Sequence, residues 1–137
     1  MLTKDVVMMA ADFTDHLTQR PEAPLIIEHV GQMLAAERRQ RERFYEEVRE
    51  DQKAEFINGE MIVHSPVRKR HATVSGNPFA LLRTHCSRRS LGYVGHEKLR
   101  VRLTRNDHEP DICFFHAHRA ERFTEDQSLF PAPDLVV

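Results

Sequence analysis

No run of this chain approaches the ~20 apolar residues that a membrane-spanning helix needs, so nothing in the sequence points to a bilayer. Cysteine is scarce. Cys86 and Cys113 lie far apart and form no C-x-x-C pair, which excludes a zinc knuckle and a disulfide framework and leaves reduced, partly buried thiols as the expectation. A dominant charge is lacking as well: 20 Lys+Arg against 21 Asp+Glu leave a net charge of -1, so attraction to a polyanion has to come from local patches. Residues 1–11 have neither a basic start nor a long apolar core and carry Asp5, which argues against a signal peptide. A cytoplasmic protein follows by elimination. The nine histidines contain no H-E-x-x-H spacing, so that form of zinc protease chemistry is excluded. There is no internal repeat, no recognition-helix pattern and no aromatic interleaving that marks a single-strand stacking platform.

What is present fits one domain. The 137 residues are 40% hydrophobic, enough to bury about two thirds of the unfolded surface. Residues 1–24 carry a weak helical pattern punctuated by Pro21 and Pro24 and read as a loosely attached extension. From Ile26 to about Glu50 the composition is helix-forming. Ile26, Ile27, Val30, Met33 and Leu34 share a face, a charged span from Glu37 to Arg43 interrupts it, and Phe44, Tyr45 and Val48 resume it. Two helices and one partly solvated helix both fit that broken stripe.

Asn58-Gly59 predicts a two-residue hairpin turn, because both central positions of a type I′ turn need positive φ. It joins strands over 54–57 and 60–64, with Ile57 facing Glu60 and Glu55 facing Ile62, so Glu55 and Glu60 share one side of the ribbon. A helix is expected from His71 to about Arg89, its apolar face formed by Val74, Leu81, Leu82 and Cys86, with a kink or a fresh start at Pro78 and Asn77 as a cap. Residues 93–103 alternate, Leu99, Val101 and Leu103 against Lys98, Arg100 and Arg102, which predicts one half-buried strand. The loop 104–108 turns it back into a strand over 110–116. A short helix at Arg119–Phe123, a polar loop with Pro131 and Pro133, and a last strand follow.

The most informative stretch is Glu109-Pro110-Asp111-Ile112-Cys113-Phe114-Phe115, where a carboxylate enters an apolar strand directly after a proline. Pro133-Asp134-Leu135-Val136-Val137 echoes it at the end of the chain. Alone, a proline-aspartate before a strand is ordinary turn and edge chemistry. Its neighbours add weight. Glu55-Phe56-Ile57-Asn58-Gly59-Glu60, Ser65-Pro66, His71 at a helix start, Glu109-Pro110-Asp111-Ile112 and Ala132-Pro133-Asp134-Leu135-Val136-Val137 occur in an order and spacing that resembles the Uma-two family, part of the PD-(D/E)XK superfamily of restriction-endonuclease-like proteins. The resemblance covers about residues 44–137.

It implies an α+β fold, a restriction-endonuclease-like mixed sheet flanked by helices and incomplete at the C-terminus, with residues 1–43 as a partly helical extension and 44–137 as a partial nuclease-like domain. It also implies hydrolysis of DNA with a divalent ion, magnesium, held by carboxylates that stabilise charge on the cleaved phosphate. Asp111 matches the superfamily aspartate and is the candidate metal ligand. The partner acidic residue is expected directly after the Asp-Leu-Val-Val run, beyond Val137, so the chain as written is expected to be catalytically defective.

Glu55 and Glu60 remain acidic candidates if the hairpin lies beside the 110–116 strand; solvated hairpin side chains are the plainer reading of both. His71 stands where the family commonly has a histidine, and contact with a phosphate, support of a carboxylate, or a helix-start role all fit. His116 and His118 lack a third ligand nearby. Arg68, Lys69 and Arg70, and Lys98, Arg100 and Arg102, are two basic groups suited to DNA phosphates or to ordinary solvation. The other class of reading is a non-catalytic module that keeps the scaffold and binds DNA, forms a homodimer, or accepts a strand-completing partner chain at 134–137.

Overall fold

A computed structural model describes residues 4–49, 51–66 and 68–137. They form two compact units, Met1–Arg39 and Gln40–Val137. The first holds α1 (Lys4–Thr18) and the opening of α2 (Ala23–Glu47). Pro24 falls in the first turn of α2, where a missing N–H costs no helical bond. The broken stripe of α2 resolves as one helix, not two; its expected end near Glu50 lies outside the described residues. No helix among those residues is long and apolar enough to cross a membrane.

The second unit contains the rest of α2, β1 (Ala54–Ile57), β2 (Glu60–Val63), α3 (Lys69–Arg88), β3 (Gly92–His96), β4 (Arg100–Arg102), β5 (Asp107–His108), β6 (Ile112–His116), α4 (Ala117–Ala120), β7 (Leu129–Phe130) and β8 (Leu135–Val136). The strands make two sheets, ordered β2-β1-β5-β4-β7 and β3-β6-β8, and the parallel β4–β7 pair makes the larger one mixed. This is the α+β class with a mixed sheet.

The hairpin forms in the register its turn dictates, with Glu55 opposite Ile62 and Ile57 opposite Glu60. Asn58 and Gly59 adopt φ of 50° and 91°. A side chain at the second position meets the left-handed penalty, so Gly59→Ala is expected to cost about 1 kcal/mol. Urea denaturation checks this, and an unchanged midpoint would mean that the turn tolerates another conformation.

Three apolar clusters hold the unit together. Phe44, Ala54 and Phe56 join α2 to the hairpin; Cys86, Val94 and Ile112 join α3 to the smaller sheet; Val101, Cys113 and Phe115 connect the sheets, flanked by Phe123 and Phe130. Both thiols are buried, and burial pushes that of Cys113 up to about 11.

Several expected elements are corrected. Residues 93–103 are two strands in different sheets, because Glu97 and Lys98 take φ of 50° and 52° and break the extended backbone between them. Lys98 therefore stands in a turn, off the strand that carries Arg100 and Arg102. The loop 104–108 contains β5, the next strand starts at Ile112, the short helix is Ala117–Ala120, and the polar loop contributes β7. Helix α3 runs through Pro78 without a fresh start. The carbonyl deprived of its partner belongs to Val74, an exposed residue. Val74 and Leu81 are exposed, and the inward face of α3 is Ser75, Phe79, Leu82 and Cys86 at helical spacing.

Candidate active site

Residues 109–111 carry the chain from one sheet to the other, from β5 to β6. The Asp111 carbonyl accepts a bond from the Glu97 N–H at 3.0 Å. The Asp111 carboxylate meets two cationic or potentially cationic groups: Lys53 Nζ at 2.6 Å from Oδ1 and His71 Nε2 at 3.0 Å from Oδ2. Lys53 immediately precedes β1 and His71 sits in the first turn of α3, so three segments distant in sequence converge. The Lys53 hydrogen bond holds the Asp111 carboxyl below the ordinary aspartate range; partial burial opposes this, and Lys53, His71 and His96 reinforce it through their charges.

The other acidic candidates are placed elsewhere. The hairpin lies beside β5, not beside β6, through the Phe56–Asp107 pairing. Glu55 accepts the backbone N–H of Glu109 at 2.9 Å and pairs with His64 at 2.9 Å and His108 at 3.5 Å. Burial raises its pKa, but the Glu109 N–H and His64 outweigh that and leave it lowered. Glu55 thus fixes the backbone two residues before Asp111 and does not reach its carboxylate. Glu60 is exposed on edge strand β2 and takes no part in the Asp111 ion pairs. Glu109 is 3% exposed; it accepts the Ala54 N–H at 3.1 Å and Arg100 at 2.8 Å.

Arg68, Lys69 and Arg70 are exposed at the start of α3, directly before His71. Arg100 is committed inward, bound to Glu109 and lying over the Phe44 ring at 4.9 Å. Arg102 is exposed and lies over Tyr45 at 5.6 Å, and Lys98 is exposed in its turn. His116 and His118 stack with centroids 6.0 Å apart. The echo residue Asp134 accepts the His116 N–H at 2.8 Å and pairs with Arg119 at 2.7 Å, so it anchors the approach to β8. Lys53 and His96 were not singled out from sequence. Their signal is strand order: a lysine ahead of β1 becomes a site residue only once β1 is known to lie next to β5.

Residues 38–137 match the Uma2 family, described as a putative restriction endonuclease. The chain belongs to this family. A crystal structure described as a putative nuclease belonging to DUF820 from Anabaena variabilis ATCC 29413 shares its fold, with a TM-score of 0.54, 20% identity and coverage of 61% of this chain. The chain spans 48% of the length of that protein. No curated protein matches. The Uma2 match makes the scaffold nuclease-like, and restriction-endonuclease-like proteins generally use a divalent metal. Among the described residues no three His, Cys, Asp or Glu side chains converge to hold one. Around Asp111 the donors are one carboxylate and one imidazole, with Lys53 on Oδ1; these fit a single metal ligand rather than a complete metal site.

Proposed function

We propose that this domain engages DNA with a phosphate beside Asp111, and that Asp111 is the carboxylate it contributes to phosphodiester hydrolysis. The observation that carries the reading is the convergence of Lys53 and His71 on Asp111. One carboxylate facing a lysine and an imidazole leaves the site neutral with a neutral ring and positive with a protonated one. Such a site attracts a phosphate better than it retains a bare cation. Arg68, Lys69 and Arg70 extend the same attraction along the start of α3.

Magnesium is the proposed ion, suited to oxygen ligands, and it would supply charge stabilisation and an activated water. The residues here have other tasks. His71 and Lys53 orient the Asp111 carboxylate, Glu55 fixes the backbone of Glu109, and the basic side chains hold the DNA backbone. With one carboxylate converging, the chain alone is expected to hold the ion weakly and to hydrolyse DNA slowly at best.

Binding to a DNA duplex at several salt concentrations, with plasmid nicking in magnesium run beside it, tests the reading. Salt-sensitive binding is expected, with little nicking. Replacing Arg68, Lys69 and Arg70 by alanine should flatten the log-log salt slope by roughly 2–3. Absence of binding at low salt sinks the DNA reading, while rapid nicking abolished by Asp111→Ala overturns the expectation of slow hydrolysis.

A further inference from the structure

Helix α3 continues past His71 into a second feature. Phe79 lies eight residues on, about 12 Å along the axis at 1.5 Å per residue. Its ring stacks on His96 with centroids 4.3 Å apart and planes 14° from parallel. The Arg83 guanidinium lies over the Phe79 ring at 5.8 Å, and Tyr93 of β3 is 42% exposed nearby. With Ser87 and Leu99 these side chains line a cleft of about 460 Å³.

This cleft adjoins the Asp111 site through its backbone. His96 pairs with Ile112, the residue after Asp111, and Glu97 bonds the Asp111 carbonyl. His96, which lines the cleft, has its Nε2 buried with no hydrogen-bond partner. Hydrogen-bonding capacity left unused by the protein is uncommon inside a fold. Stacked rings at a helix–sheet seam are often simple core packing, and Phe79 does touch the Cys86, Val94 and Ile112 cluster. Packing alone does not account for an open cleft rimmed by an arginine and a half-exposed tyrosine. Flat aromatic faces, a guanidinium and a hydroxyl are the groups that receive a nucleobase with its attached phosphate.

We propose that this cleft takes an unpaired base of the DNA strand whose phosphate lies at Asp111. The proposal rests on the DNA reading above and narrows the substrate to strands with a displaced, flipped or single-stranded nucleotide next to the reacting phosphate. Arg83 leaves the Phe79 ring to meet the phosphate of that nucleotide, and the base takes the place the guanidinium holds over the ring.

Binding of a labelled thymidine oligonucleotide is to be compared with that of an abasic strand of equal length and charge, at one salt concentration. The base-bearing strand is expected to bind about ten-fold more tightly. Phe79→Leu, which removes the ring and keeps the charge, should close most of that gap while leaving abasic affinity nearly unchanged. Because Phe79 also packs inward, a second measurement needs no variant: 2-aminopurine placed in the strand should lose fluorescence when the wild-type chain saturates it. Equal affinity for the two strands, or unquenched 2-aminopurine at saturation, overturns the base cleft and leaves DNA engagement standing. No affinity for either strand overturns the base cleft, and only the absence of duplex binding at low salt overturns the DNA reading as well.

Discussion

Asp107→Ala is expected to lower the free energy of unfolding by about 3–5 kcal/mol, the usual penalty when one partner of a buried ion pair is removed. The Asp107 side chain is fully buried and that of Arg41 is 10% exposed. Arg41 donates to both Asp107 oxygens, at 2.6 and 2.8 Å, and to the carbonyls of Leu103, Thr104 and Asn106. The hydroxyl of Tyr45 adds bonds to the same carboxylate at 2.9 Å. Hydrogen bonding to Asp107 pushes the Arg41 pKa up; with Asp107 gone the guanidinium still keeps its proton, as arginine does in proteins, and stays buried with only the three carbonyls and no counter-charge. Burial followed by the Asp107 bond raises the Tyr45 pKa too, keeping that hydroxyl a donor. Chemical denaturation measures the cost. The double variant Arg41→Met with Asp107→Leu should recover only part of it, because apolar side chains replace the charges while the Tyr45 hydroxyl and three carbonyls lose their partners. A single-variant loss under 1 kcal/mol would mean that this network is solvated.

Asp111→Asn should act in opposite directions on the two properties of the site. DNA affinity without metal is expected to rise several-fold, since a negative charge facing the phosphate disappears while Lys53 and His71 remain. Residual metal-dependent hydrolysis should vanish. Stability should fall by about 1–2 kcal/mol at pH 7, the order expected for a charged hydrogen bond that is partly solvated. The sign with pH follows from the depressed carboxyl. Its contribution is complete above the unfolded aspartate value near 3.8 and fades as pH falls through the lower folded value, so parent and variant converge in acid. Titration calorimetry or anisotropy reads the affinity, and urea melts at pH 7 and at pH 3 read the stability. Weaker DNA binding by Asp111→Asn would show that no phosphate lies at this carboxylate.

The hairpin was legible because Asn58-Gly59 carries its own backbone requirement, and the family because its short motifs recur in order between Glu55 and Val137. The two-sheet arrangement was not legible. Alternation at Leu99, Val101 and Leu103 looks the same whether a strand begins at 93 or at 100, and no glycine betrays the left-handed residues Glu97 and Lys98. The same limit hid the acidic neighbours. Glu55 reaches Glu109 because β1 lies beside β5, and such long-range pairings leave no local trace. Arg41 was concealed for another reason. It sits in a charged span that reads as solvated, and only its helical spacing to Phe44, Tyr45 and Val48 places it on the inward face.

The crossover at 109–111 has a mechanical consequence. Lys53 is tied to the larger sheet through β1, His71 rides on the helix packed against the smaller one, and Asp111 holds both. The carboxylate therefore acts as a latch across the seam between the sheets. A phosphate bound as proposed would compete with Asp111 for Lys53 and His71, so the proposed ligand and the ion pairs across the seam would draw on the same two side chains.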